Sequence, residues 1–530
     1  MAPPSLVLHL CSAVVLLLST RLYRLLWHPL SKISGPILNA ASSWPEFFAA
    51  ASGDRHVRLW QLHEIYGPTV RIAPNRVSFN TVTAFKTIYD AKANVKQGPL
   101  YDTFIASNHG RVDLLDSDGE VHSRKRKIIS HAFSERALRL KEDSIVEHQQ
   151  SWLDQVTQTF GQQADDWTQP IDMTQWLSYM TIDIVGEIGF GKDFNLTRSE
   201  RFRFLPQTFA NLVTINFAVG HLPRALQFGI NCILRSPIMS LLIPPEVHNF
   251  AKFTSDLIVE RVARMDGLDS KENDDFVSLF RNQDGNLGKD AVEEIKSEAT
   301  TLIVAGSDTA ATAMAGMLFY LTHNPRCLEK LTAEIRSTFS TAQSIRRGYE
   351  LSRAKYLRAC IDETLRLSPP VPGYLGREVL AGGITIDGQY LPAGVEVGVP
   401  ISALHLNPEY YPRPFEFWPE RWLHGAGTEE EVVQDATLAR TAFAAFSTGR
   451  HGCAGKELAY MEISLMMARL LYHYDIRLTD DATRNTVGEG HGSSGPWGRR
   501  IKGQFQIHDY FTGKGQGPWI QLRGVKRGAS

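Results

Sequence analysis

The chain has 530 residues, 43% of them apolar, and a formal net charge of -1 at pH 7. That balance offers no bulk basic field for nucleic acid, and there is no acidic tail. The five cysteines (Cys11, Cys232, Cys327, Cys360, Cys453) are odd in number and scattered, which excludes a disulfide framework and places the body in a reducing compartment.

Residues 5–20 are apolar apart from His9 and small polar residues, and Arg21 and Arg24 follow. A cleaved signal peptide would carry its positive charge before the apolar run and a small-residue cleavage site after it. A buried core helix is out of place at a terminus. Extended through Leu22, Tyr23, Leu25, Leu26 and Trp27, the run reaches the roughly 20 residues needed to cross a bilayer, with arginines on the cytosolic side. The expected division is a membrane anchor over 1–27, a Pro/Gly-bearing tether over 28–50 and one body over 51–530.

Residues 55–66 read as an amphipathic helix stopped by Gly67-Pro68, and 69–72 and 76–79 as short strands around Pro74-Asn75. Helical patterns follow over 121–140 (one helix or a pair), 173–189 and 246–265. Asn195-Leu196-Thr197 matches a glycosylation acceptor that a cytosolic body leaves unused. Over 384–400 the period changes to two, with Asp387-Gly388 as a hairpin turn and a further strand at 395–399. Strands are expected at 474–478 and 519–522, separated by a mobile loop over 483–503 rich in Gly, Ser and Arg. No internal repeat is present. The fold class is mainly α with a small β region.

Four stretches carry reactive residues. Residues 290–324 form one helical run ended by Pro325, centred on TTLIVAGSDTAAT at 300–312. Asp308 argues against a second membrane span, because an acid at mid-bilayer costs about 2.5–3.5 kcal/mol or more. Ala305, Gly306, Ser307, Ala310 and Ala311 let a flat or large group lie against the helix. Asp308 beside Thr309 is either a proton relay or an acid paired inside the core. In ETLR, Glu363 and Arg366 share a helix face, as a surface pair or, with Arg421 of PERW (419–422), as a buried cluster holding the helix to a later loop. In EVHSRKRK (120–127), His122 and Arg126 share a face suited to an internal anion. Arg124, Lys125 and Lys127 point elsewhere, toward solvent or an acidic partner. In FSTGRHGCAGKELA (446–459), Gly449, Gly452 and Gly455 crowd Cys453 just before an apolar helix pattern. The glycines permit a tight turn and close approach, and a helix N-terminus favours a thiolate. The alternative is a buried free cysteine in a glycine loop.

Taken together and in this order, FSTGRHGCAG, AGSDT, ETLR, PERW and HSRKR resemble the haem-thiolate monooxygenases of the cytochrome P-450 family, and the resemblance covers almost the whole chain. HPLSKISGP (28–36) and YGPTVRIAPN (66–75) further resemble the microsomal enzymes of filamentous fungi. The resemblance implies the cytochrome P-450 fold, a long central helix over haem b, with Cys453 as axial thiolate of the iron. It implies Phe446 as shield of the sulfur and Gly449 and Gly455 as part of the haem loop. Ala305 and Gly306 would face the haem, and Asp308 and Thr309 would form the acid–alcohol pair of proton delivery. His122, Arg126, Arg377 and His451 would hold the propionates, and Glu363, Arg366 and Arg421 the structural triad. The family's loop usually has arginine at the place of His451, and its tether a Pro-Gly-Pro entry where this chain has Ser34-Gly35-Pro36.

The reaction so implied inserts one oxygen atom of O₂ into a lipophilic small molecule. The substrate would be a terpenoid, polyketide, alkaloid or other aromatic of fungal secondary metabolism. Electrons would come from NADPH through NADPH-cytochrome P-450 reductase, with cytochrome b5 as a second candidate donor. Arg124, Lys125, Lys127 and Lys456 would form the docking surface of an enzyme anchored on the endoplasmic reticulum membrane. Residues 100–115 (Tyr101, Phe104, Ile105), 205–242 and 371–375 (Tyr374) would shape the pocket. Two further readings are a reductase-independent haem-thiolate isomerase or peroxygenase and a non-catalytic haem or lipid binder.

Overall fold

The helix Lys289–His323 organises the molecule. Among the described residues its Asp290–His323 stretch has the length and composition to cross a membrane, but 67% of the most apolar window is buried inside the fold, so it is a core helix. The chain is seen here in a computed structural model that describes residues 4–107, 111–161, 166–234, 245–265, 275–280, 289–423 and 436–525. Met173–Phe190, Lys355–Leu367 and Lys456–His473 pack around the central helix and share one apolar core, with Ile303, Met314, Leu318, Tyr320, Leu465 and Met466 fully enclosed.

The β region lies to one side. A five-stranded sheet runs in the order Thr69–Ala73, Arg76–Phe79, Glu396–Gly398, Arg377–Val379, Val95–Gln97, antiparallel except where Arg76–Phe79 meets Glu396–Gly398. A three-stranded sheet pairs Trp519–Gly524 with Ile171–Asp172 and Tyr474–Leu478. The Asp387-Gly388 turn joins Ile384–Ile386 to Gln389–Leu391 with φ of 47° and 77°, the double left-handed turn that suits a two-residue hairpin. A second hairpin, Ile507–Tyr510 and Thr512–Gly515, lies against the central helix. The basic pattern at 121–140 resolves into two helices, Gly119–Ala132 and Glu135–Phe160, the second capped by Ser134.

The N-terminal helix Pro4–Leu26 exposes its apolar residues, Leu16 at 71% and Leu8 at 67%. Its end is fastened to the body, with Arg24 donating to the Ala41 carbonyl at 2.9 Å and Arg71 to the Arg24 carbonyl at 2.9 Å. Residues 28–50, expected as a tether, contain the helix Ile37–Ala41 and most of Trp44–Ala51. They are held to the first strand by Arg71 N–H to Ser34 O at 2.8 Å and Asn39 Nδ2 to Ile72 O at 2.7 Å.

The segment 483–503 departs from the mobile loop expected of its composition. Arg499 is 6% exposed; it pairs with Asp54 at 2.6 Å and donates to the Ile507 carbonyl at 2.8 Å, and Trp497 meets Trp60 edge-on at 5.5 Å. Its glycines serve turns, Gly488, Gly492 and Gly498 having φ between 69° and 93°, and a buried arginine replaces the apolar side chains that would have signalled packing.

Candidate active site

One cavity of about 340 Å³ brings together most of the residues singled out above: His122, Arg126, Ala305, Gly306, Thr309, Arg377, Phe446, His451, Cys453 and Gly455 all line it. Gly449 and Asp308 do not.

The cysteine loop is shaped before its helix begins. Ser447 and Gly449 take φ of 53° and 69°, the Cys453 N–H bonds the Phe446 carbonyl at 2.9 Å, and the helix Lys456–His473 starts three residues on. Gly449 is required twice over, since a Cβ there would run into the Tyr89 carbonyl oxygen. At Gly455 a Cβ would meet no protein atom, which leaves that side of the loop free for a flat group. The Phe446 ring lies 5.0 Å from that of Tyr460. The Cys453 thiol does not follow the expectation from the helix alone. Burial pushes it up, and the Gly455 N–H, Arg126 and Lys456 only oppose that rise. A coordinated metal deprotonates a thiol outright.

The cationic rim comes from three elements. Arg126, on Gly119–Ala132, donates to the Gly452 carbonyl at 2.6 Å, and Arg377, on an inner strand of the five-stranded sheet, donates to Gly376 O at 2.9 Å and to Tyr101 Oη at 3.3 Å. His122 packs at a tilt against His451 with centroids 4.1 Å apart, and burial, His451 and Arg126 push it down to about 4, so it is neutral at pH 7. Both nitrogens of His451 are engaged, Nε2 with Asp118 at 3.2 Å and Nδ1 with Gln97 at 3.3 Å. Arg450 turns away to the Ala91 carbonyl. Asp118 and Gln97 were not visible as site residues, and neither belongs to a motif.

The opposite wall is the central helix. The Thr309 hydroxyl donates to the Ala305 carbonyl at 2.7 Å, and Ala305 presents only a methyl group to the cavity. Gly306 also answers to packing, because a Cβ there would stand 3.0 Å from Val185 Cγ2. Asp308 turns to the C-terminal hairpin, where Lys514 Nζ donates to its Oδ1.

Three expectations about the surroundings need correction. Lys125 is 2% exposed and clamped by Glu294 at 2.6 Å and Glu298 at 2.7 Å, and Arg124 also pairs with Glu294, so neither is a free docking charge. The same Glu298 accepts the Leu114 N–H at 3.1 Å, and Asp113 accepts from Thr301, tying the 113–118 loop onto the central helix. No described residue of 205–234 lines the cavity; Val185, Ile188, Phe190 and Phe276 do, and 235–242 lies outside the described residues, as does 108–110. Tyr374 is likewise elsewhere, donating to Val77 O at 3.2 Å, while Tyr101, Val371 and Leu375 line the cavity as expected.

The triad residues form a fully buried cluster. Glu363 receives Arg366 through two bonds of 2.9 Å, Arg421 Nε at 3.0 Å, Trp418 N at 2.9 Å and Trp422 Nε1 at 3.0 Å. Burial alone would raise its pKa, but the two guanidiniums and these bonds bring it below the usual carboxylate range.

A mainly helical body with small sheets, and a cysteine loop opposite a small-residue helix across one apolar cavity, define a haem-thiolate architecture. The chain belongs to the cytochrome P-450 family, whose sequence model matches residues 42–494. It is 34% identical to the cytochrome P-450 monooxygenase AKT7 of Alternaria alternata, over 95% of this chain and 94% of that one. It is 34% identical to poxM of Penicillium oxalicum (96% and 92%) and 31% identical to atnE of Emericella nidulans (94% and 93%), both named cytochrome P-450 monooxygenases. The chain is thus a fungal-type P-450 monooxygenase, an oxidoreductase whose family implies haem with a cysteine thiolate.

Proposed function

We propose that the protein hydroxylates or otherwise oxygenates a lipophilic small molecule of fungal secondary metabolism. One atom of O₂ enters the substrate and the other leaves as water, consuming two electrons and two protons. The observation that carries this is Cys453 and Thr309 lining one cavity whose remaining wall is mostly apolar. Haem, when bound, supplies the oxygen-activating chemistry, which thiolate ligation favours.

The chain's own residues have separate tasks. Cys453 would hold the haem iron through its sulfur, which the Gly455 N–H bonds, and its own N–H is fixed to the Phe446 carbonyl. Arg126 and Arg377 would hold the propionates through charge-assisted bonds, with neutral His122 as a further donor, and His451 is braced by Asp118. Thr309 and Asp308 hold and pass protons on the substrate side. Val185, Ile188, Phe276 and Phe511 exclude water and orient an apolar substrate.

Electrons come from NADPH through a membrane-bound reductase, with cytochrome b5 as a second donor. Lys127 and Lys456, both exposed, are the docking charges left after Arg124 and Lys125 are paired. The exposed apolar helix Pro4–Leu26 supports a single anchor on the endoplasmic reticulum membrane. The test is microsomal co-expression with reductase. The expected result is the reduced carbon-monoxide band of a thiolate haem, with NADPH-dependent gain of one oxygen in a metabolite offered from a fungal extract. Product formation from peroxide alone, without NADPH, would favour the peroxygenase reading instead.

A further inference from the structure

The acid of the central helix is not a free carboxylate. Lys514 Nζ donates to Asp308 Oδ1, while Oδ2 is buried without a hydrogen-bond partner among the described residues. The pair is sheltered, with side chains 22% and 14% exposed, unlike a surface pair such as Arg139–Glu135 at 75% on each side.

Lys514 belongs to an element that itself walls the cavity. In the hairpin Ile507–Tyr510 and Thr512–Gly515, His508 pairs with Lys514 and Tyr510 with Thr512. The turn residue Phe511 takes φ of 80°, and Phe511 and Thr512 line the cavity. The Phe511 ring packs on Phe104 at 5.3 Å and Tyr101 at 6.0 Å. Two bonds fasten the neighbouring Gly513: its N–H to Pro370 O at 2.7 Å and its carbonyl to Thr312 Oγ1 at 3.1 Å. The lysine's backbone is thus fixed against the central helix one turn beyond Asp308.

We infer that Lys514 is a positioning residue for proton delivery: it pins one oxygen of Asp308 and so keeps the acid that precedes Thr309 sheltered inside the fold, with its second oxygen unoccupied. This inference rests on the assignment of Asp308 to proton delivery. A side chain held at one oxygen cannot rotate out to bulk water, and a compact ammonium does this without occupying the second oxygen. Remove the charge, and the carboxylate relaxes toward solvent, out of the sheltered position that the pair gives it. Misplacement on this scale costs rate even when the residue itself is intact.

The experiment needs no known substrate. The haem-loaded protein is reconstituted with reductase and NADPH, and peroxide formed per NADPH is measured. Oxygen leaves either as hydrogen peroxide, taking two electrons and two protons, or as water, taking four of each. Slow proton delivery shifts the balance toward peroxide. Lys514→Met should raise the ratio by about threefold, with the reduced carbon-monoxide band retained, and Lys514→Arg should restore it. Thr312→Val cuts the other hairpin bond without touching Asp308. It should speed hydrogen exchange over 507–515, as Lys514→Met does, yet leave the ratio at the wild-type value. Should Lys514→Met fail to load haem, Lys514→Gln takes its place.

An unchanged ratio in the Lys514 variant, a wild-type ratio already at its maximum, or a Thr312→Val ratio equal to that of Lys514→Met would overturn the inference. Asp308→Asn separates the two levels. If it raises the ratio while Lys514→Met does not, only the role of Lys514 falls; if neither changes it, the assignment of Asp308 falls as well.

Discussion

Glu462 offers a clean measurement of what burial costs in this fold. It lies on the helix Lys456–His473, is 1% exposed, lines the far end of the cavity, and has a bare Oε1. Gln149 donates to the Glu462 carbonyl at 3.0 Å rather than to the carboxyl, and its own Oε1 is also bare. Desolvation alone pushes the Glu462 carboxyl from 4.5 up to about 8. The folded chain therefore keeps a proton that the unfolded chain gives up near pH 4.5. The contribution to stability is largest below that pH, falls as pH rises through the interval, and is exhausted above about pH 8.

At 1.36 kcal/mol per pKa unit, wild-type protein should lose about 3 kcal/mol from this residue between pH 5 and pH 8. Glu462→Gln cannot titrate. Its fixed cost, an amide without partners, is equal at both pH values and cancels in the difference. Urea unfolding of the haem-loaded protein at the two pH values, wild type against variant, isolates the effect. The variant should be the less pH-sensitive of the two, gaining on wild type as pH rises. Equal losses in both proteins would refute the reasoning, and so would a variant that weakens more steeply at pH 8.

Breaking the Glu363 cluster by Arg421→Met leaves a buried carboxylate short of a partner; stability should fall by about 3–5 kcal/mol, read as a lowered unfolding midpoint and poor haem retention. Lys125→Met should destabilise in the same way through Glu294 and Glu298, with no specific change in the salt dependence of reductase-driven turnover. Lys127→Glu and Lys456→Glu should slow that turnover and flatten its salt dependence while leaving the unfolding midpoint in place. His451→Arg should keep the reduced carbon-monoxide band, because Arg126 and Arg377 already supply charge at the rim; loss of the band would show that the His451–Asp118 contact is itself needed for haem binding.

The features legible in the sequence share one property, namely that their physics is local. The central helix runs from Lys289 to His323, within a residue of the uninterrupted pattern, because Pro325 removes a donor that any continuation would need. The Asp387-Gly388 hairpin and the helix Arg55–Tyr66 appear where turn chemistry and period put them. Glu363 and Arg366 pair because three residues on a helix make one face. What could not be read depends on partners far along the chain. Lys125 sits in the densest basic run and looks solvated, yet its carboxylates come from a helix 173 residues later. Arg499 lies in a stretch composed like a flexible loop, and Asp54, 445 residues earlier, is what folds it down.

The active site mixes both kinds. Cys453, its glycines and Thr309 are set by short motifs, so their identity was open to reading, but the state of each group was not. A helix N-terminus argues for a thiolate, whereas the folded surroundings raise the thiol's pKa by desolvation, against one N–H and two nearby cations. His122 reads with Arg126 as a face for an internal anion, and enclosure with His451 makes it neutral. Asp308 reads as a proton relay or a paired core acid, and the partner that holds it, Lys514, lies 206 residues away. In each case the residue type is a local fact and its charge a property of the whole fold, which is why substitutions at Lys514, Asp118 and Glu462 test the chemistry more sharply than further changes within the motifs.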